Sequence, residues 1–184
     1  MQSLTNKIKK KALELGFCKV GIAPIEKLDV ESVRLQEWLS RGYHSSMSWM
    51  ERGFEKRVDP KQILPDAMSM LCVAMNYYTN VQHSSNIDSG KISRYAWGDD
   101  YHVILQERLE TLLEFIKQQK PETVGKVYVD TGPVMDKVWA QRAGIGWEGK
   151  HTNVISQEYG SWLFLGEIIL NIELEYDSPS IDHC

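Results

Sequence analysis

The sequence is poor in the features that mark many specialised chains. Its 184 residues include three cysteines, Cys18, Cys72 and Cys184, odd in number and far apart. That excludes a disulfide framework and makes a reducing cytoplasm the expected compartment. No run of about 18 apolar residues occurs, so no membrane-spanning helix is expected. The opening MQSLTNKIKKKALEL has neither an apolar signal core nor a cleavage site, hence no secretory signal. Charge of one sign is scarce: 21 Lys and Arg against 25 Asp and Glu leave −4, a weak field for a stand-alone nucleic-acid binder. Zinc patterns (H-x-x-x-H, C-x-x-C, H-E-x-x-H) and the G-x-S-x-G elbow of hydrolases are missing, as are internal repeats and low-complexity linkers.

What is present is the composition of one globular domain, with 42% hydrophobic and 25% charged residues. Leu4, Ile8, Ala12 and Leu15 keep helical spacing up to Gly16, and Phe17–Ala23 then reads as a strand. Asp29 is placed to cap a second helix ending at Gly42. Met47–Arg52 predicts a further helical turn or two. Met70–Tyr78 is apolar on both faces, as a central strand is, and the polar stretch 83–91 reads as a loop. The strongest helix carries Tyr101, Ile104, Leu105, Leu109, Leu112, Leu113 and Ile116, capped by Asp99 or Asp100 and stopped before Pro121. Lys126–Val129 reads as a strand, Pro133 as the first turn of a helix to about Arg142, and residues 153–156 and 162–173 as a hairpin turning at 158–160. Without a regular βαβ rhythm, the class is α+β.

The chemistry concentrates in Val129–Lys150. Asp130 leaves a strand just before a tight turn, which suits a carboxyl aimed into a cleft and equally a cap for the turn at Pro133. Gly144, Gly146 and Gly149 spell G-x-G-x-x-G, but after a helix rather than a strand, so a dinucleotide site is not indicated. Gly144–Lys150 has Walker spacing, yet His151 stands where Ser or Thr should hold magnesium. The stretch reads better as a loop whose backbone approaches something closely. Asp100-Tyr101-His102 begins like the D-x-H-x-x-G box of base-off cobalamin enzymes, but Leu105 occupies the last position, so His102 reads as an ordinary helix histidine. Lys7, Lys9, Lys10 and Lys11 read as a solvated face. Trp49, Trp97, Trp139, Trp147 and Trp162 are core candidates that could also wall a flat ligand.

Three longer blocks are more specific than any of these motifs: V-D-T-G-P-V from Val129, R-A-G-I-G-W-E-G-K-H-T-N-V-I from Arg142, and E-Y-G-S-W-L-F-L-G-E from Glu158. With Met47–Arg57, Ile92–Ala96 and Asp100–His102, they closely resemble epoxyqueuosine reductase along essentially the whole chain. The resemblance implies an oxidoreductase that completes queuosine at the wobble position of tRNA by reducing the epoxide of epoxyqueuosine. It implies cobalamin and two 4Fe–4S clusters as cofactors. The implied fold is nitroreductase-like, as in cobalamin-processing proteins, with a mixed sheet flanked by helices. Asp130 matches the family's proton donor, and Arg57, Tyr95, His151, Val154 and Leu165 match positions lining the cobalamin, with Gly149 and Lys150 beside them. His151 stands where many members have Asn.

One departure is large. The family's first cluster begins after Asp-His-Cys, and here Asp182-His183-Cys184 ends the sequence, one thiolate where four are needed. Residues 1–176 are therefore expected to form a cobalamin-binding catalytic domain and 177–184 the start of a truncated ferredoxin-like domain. The expected molecule is a cytoplasmic monomer with no membrane contact, inactive alone for want of electrons, its donor unspecified. With no D-x-H-x-x-G box, cobalamin is expected without a protein histidine on cobalt. Two other readings stay open: a flavin nitroreductase-like oxidoreductase, and a non-catalytic cobalamin-binding module.

Overall fold

A computed structural model describes residues 3–184. Its frame is a four-stranded sheet in the order β1 (Lys19–Pro24), β2 (Ser69–Asn76), β6 (Leu163–Leu170), β3 (Gly125–Tyr128). All three ladders are antiparallel, where the resemblance implied a mixed sheet; the α+β class is as expected. β2 lies inside the sheet, and its residues 69–74 are all buried, which is why it is apolar on both faces. In β6 the strand period of two sends Phe164, Ile168 and Leu170 to one face and Leu163, Leu165, Glu167 and Ile169 to the other.

The first face is covered by α1 (Leu4–Glu14) and α5 (Tyr101–Gln119). Ser3 caps α1 by accepting the Asn6 N–H, and the Asp100 carboxylate caps α5 by accepting that of His102. Leu105, Leu109, Leu112, Leu113 and Ile116 line the buried stripe of α5. Each such side chain contributes roughly 1.5–3 kcal/mol by leaving water. The second face carries α6 (Asp136–Arg142) and a small hairpin of β4 (Trp147–Glu148) and β5 (Val154–Ile155). Trp139, Ala140, Ala143 and Ile145 pack there with Met70, Cys72, Ala74 and Ile169. α2 (Asp29–Ser40), α3 (Trp49–Arg52) and α4 (Phe54–Val58) connect β1 to β2 and place residues 49–57 at the edge of this second face.

Three expectations need correction. The helix expected from Pro133 begins at Asp136 after the Met135 cap, because the chain first makes an extra turn around Asp130. Residues 153–156 do not pair with 162–173: Val154 and Ile155 pair with β4, only Ser156 and Gly160 bridge, and β6 pairs with β2 and β3. Asp29 is the first residue of α2 rather than its cap. Residues 177–184 form no helix or strand and lie back on the domain. Asp177 bonds Lys9 and the Ile22 amide, and Ser180 exchanges hydrogen bonds with Gln141. No helix among the described residues is long and apolar enough to cross a membrane.

Candidate active site

The site is built where β3 ends. Val129 is still core, but Asp130 turns into the left-handed region at φ +53°, and the Thr131 N–H donates back to the Val129 carbonyl across it. A non-glycine residue held there costs roughly 1–3 kcal/mol of strain, a conformation that persists only when its surroundings enforce it. Asp130 therefore caps no helix. Its carboxylate projects from the sheet edge, and Oδ2 lies 3.3 Å from Nε2 of His102. The other nitrogen of that ring, Nδ1, meets Asp100 Oδ1 at 2.7 Å. Held between two carboxylates, the imidazole titrates above its ordinary value, the Asp100 hydrogen bond being the main cause and Asp130 adding to it. Tyr101, the residue between, is pushed up to about 12 by burial and by the nearby Asp130 charge. Its ring stacks on Phe164 of β6 at 4.1 Å.

Asp130 opens onto a cavity of about 500 Å³ that it shares with Trp49, Met50, Arg57, Thr131, Val134 and Asp136. That volume lies in the usual range of small-molecule sites, roughly 300–1,000 Å³. Arg57 enters from α4 with its guanidinium 5.2 Å from the centre of the Trp49 ring. Its Nε is buried and has no hydrogen-bond partner. Burial lowers the Arg57 pKa, against the opposing pull of Asp136. Asp136 is the first residue of α6. A helix N-terminus and Arg57 both favour its charge, yet burial wins, reinforced by Asp130, and its carboxyl rises to about 7. Glu167 lies deeper, on the same face of the sheet. It has no exposed surface, and burial first and Asp136 second push its pKa well above the carboxylate range.

The structure brings Arg57 and Asp130 into one cavity. Leu165 and Val154 belong to the same apolar cluster as the cavity-lining Val134, but Val154 is 4% exposed and has little side chain left for a ligand. Tyr95 is exposed in a short turn ahead of α5. His151 is exposed on the β4–β5 connection and ties it to the Ser161 hydroxyl at 2.8 Å. The glycine loop approaches its own chain closely: a Cβ on Gly146 would run into the Ile155 carbonyl. Gly149 is buried, its N–H donating to Asn153, and Lys150 is exposed. Of the five tryptophans singled out in the sequence, Trp49 lines the cavity, Trp139 is core, Trp97 and Trp162 flank Arg94, and Trp147 meets the His183 ring.

Sequence reasoning missed His102, Asp136 and Glu167. An acid in the middle of a strand whose same-face neighbours are Leu165 and Ile169 was the available signal for Glu167. Four thiolates for an iron–sulfur cluster are not to be found: Cys72 is buried in the sheet, Cys18 is half-buried and Cys184 exposed. Among the described residues no group of three or more His, Cys, Asp or Glu is placed to hold a metal ion.

Comparison with known proteins decides the family. The family model for epoxyqueuosine reductase QueG, DUF1730, matches residues 57–131, from the cavity's arginine to the turn after its aspartate. An epoxyqueuosine reductase of Atelocyanobacterium thalassa is 46% identical over 186 residues, covering 100% of this chain and 60% of the relative. This chain belongs to the epoxyqueuosine reductase family. The structure of an epoxyqueuosine reductase with an epoxyqueuosine-modified tRNA stem loop superimposes with a TM-score of 0.84 at 33% identity, covering 98% of this chain and 48% of that one. The chain thus spans about half to three-fifths of the epoxyqueuosine reductases it matches. A reductive dehalogenase, 13% identical with a TM-score of 0.62 over 97% of this chain and 21% of the other, shares the fold.

Proposed function

We propose that this chain is the cofactor-binding and proton-donating part of an epoxyqueuosine reductase acting on epoxyqueuosine in tRNA. The observation that carries the reading is the juxtaposition of Asp130, on its strained turn, with the buried and unpartnered Arg57 Nε in one cavity. An unsatisfied buried donor of this kind calls for an acceptor from outside the chain.

Cobalamin fits these residues. A corrin is a broad apolar face rimmed with amide acceptors. Arg57 would meet that rim, and the apolar residues around Val134 and Leu165 its face. Cobalamin would supply strongly reducing electron transfer to the epoxide carbon. The chain's own work is to handle protons. As the ring-opening oxygen gains charge, the Asp130 carboxyl protonates it, a general-acid contribution of about 10²–10⁴-fold. Once product has left, His102 Nε2 returns a proton to Asp130 Oδ2, its own Nδ1–H held by Asp100. The strained backbone at Asp130 keeps the carboxyl projecting from the sheet edge rather than folded down as a cap. The clusters implied by the resemblance find no donor set here, so electrons must reach the site from elsewhere.

Titration of the purified chain with cob(II)alamin, followed by absorbance and electron paramagnetic resonance, tests the reading. Stoichiometric binding without a protein nitrogen on cobalt is expected, weakened in Arg57→Ala. Binding of a flavin instead, or no corrin binding at saturating concentration, overturns it.

A further inference from the structure

Glu167 is in a place where carboxylates are seldom found. It sits within β6, opposite Cys72 of β2 on one side and Tyr128 of β3 on the other. Its side chain has no exposed surface, and among the described residues its carboxyl oxygens face no hydrogen-bond donor other than the Asp136 carboxyl, when that is protonated. An ionised carboxylate so placed carries a desolvation penalty of several kcal/mol, and a protonated one avoids most of it. The ionisable groups around it do not offer it a charge partner. Cys72 and Tyr128 are neutral acids burdened by burial, and Asp136 and Asp130 are themselves acids. The cation Arg57 acts on Asp136 from the cavity side. Asp136 thus stands between Glu167 in the core and the cavity where Asp130 opens.

We propose that Asp136 and Glu167 form a buried proton store behind Asp130, supplying the second of the two protons that epoxide removal consumes. The proposal rests on the functional reading above. Removing the epoxide oxygen as water breaks two C–O bonds and forms one C=C bond. It takes up two electrons, here from a low-potential reductant, and two protons. Asp130 delivers the first proton, to the oxygen of the opening ring. The second C–O bond breaks with water rather than hydroxide as leaving group, and that step needs a further proton while substrate covers the cavity mouth. Asp136, on the cavity wall, passes it to Asp130, and Glu167 replenishes Asp136. After product leaves, His102 and solvent refill the pair through Asp130. A purely structural pair, pinning α6 to β6 by a hydrogen bond, would be served as well by Asn at 136 or Gln at 167.

The test has two readings. Infrared difference spectra of the chain itself, without cofactor, should show a protonated carboxylic acid at pH 7, diminished in both Asp136→Asn and Glu167→Gln. Absence of that band from the wild-type chain overturns the proposal, whatever turnover does. The cobalamin-loaded chain is then assayed with chemical reductant and an epoxyqueuosine stem loop. Both variants should lose roughly ten-fold or more in kcat, the low end of a general-acid effect, with KM unchanged and the loss growing above pH 7. Folded variants that turn over at the wild-type rate also overturn the proposal. A band that behaves as expected in a loaded wild-type chain that makes no queuosine supports the store and contradicts the epoxide-reduction reading instead.

Discussion

Replacing Asp136 with Asn should make the protein more stable at alkaline pH, although it removes an acid from the site. The Asp136 carboxyl titrates at about 7 instead of 3.8, burial being the main cause. Between those values the folded state holds a proton that the unfolded chain releases. Stability therefore falls as pH rises from about 4 to about 7 and levels off above, the sign expected for an acid whose folded pKa is raised. At about 1.4 kcal/mol per pH unit, the displacement corresponds to roughly 4 kcal/mol at pH 8. Asn has the shape of the protonated acid and no charge to desolvate, so Asp136→Asn avoids this cost. Urea denaturation of both proteins at several pH values between 4 and 8 reads the difference directly. The curves should nearly coincide at pH 4 and separate with rising pH, the variant gaining up to roughly 4 kcal/mol, or about 8–16 °C in Tm. Relief of the Asp136 charge on Glu167 acts in the same direction. A variant less stable than wild type at pH 8, or a constant difference across the range, would refute the assignment of a raised carboxyl at this position.

Two further outcomes follow from the same geometry. Followed by NMR, the His102 ring should titrate above 6.5 and fall back more in Asp100→Asn than in Asp130→Asn, because the shorter Asp100 contact dominates; its contribution to stability is present below 6.5 and lost as pH rises through the raised value. Gly146→Ala should destabilise by about 1–3 kcal/mol in denaturant titration, since a methyl there meets the Ile155 carbonyl inside the β4–β5 hairpin.

The sheet's inner strands and its long helix were legible because burial imposes simple periods. β2 is apolar on both faces since it is covered on both, and α5 keeps a stripe of leucines for the same reason. The β4–β5 pairing was not legible. Its two-residue strands carry too short a pattern, and the turn at 158–160 suggests a hairpin with β6 that the sheet order does not contain. At the site, Arg57 and Asp130 were reached through whole blocks of sequence rather than through spacing. Asp136 was concealed because an acid at a helix start is ordinary, and only the packing of β6 beneath it makes it unusual. His102 looked like one more helix histidine, since nothing in the spacing shows that a strained turn 28 residues later brings Asp130 to its ring.

The central claim is that Asp130 protonates an epoxide within this cavity. The most direct measurement is a single-turnover experiment on the cobalamin-loaded chain, with a low-potential reductant and a stem loop carrying epoxyqueuosine, quenched and read by mass spectrometry. Asn tolerates the left-handed backbone at position 130, so Asp130→Asn should fold and bind cobalamin like wild type. The wild-type chain should remove one oxygen to give queuosine, and Asp130→Asn should do so at a rate about 10²–10⁴-fold lower. Equal rates in the two proteins, or a product that keeps its oxygen, would contradict it.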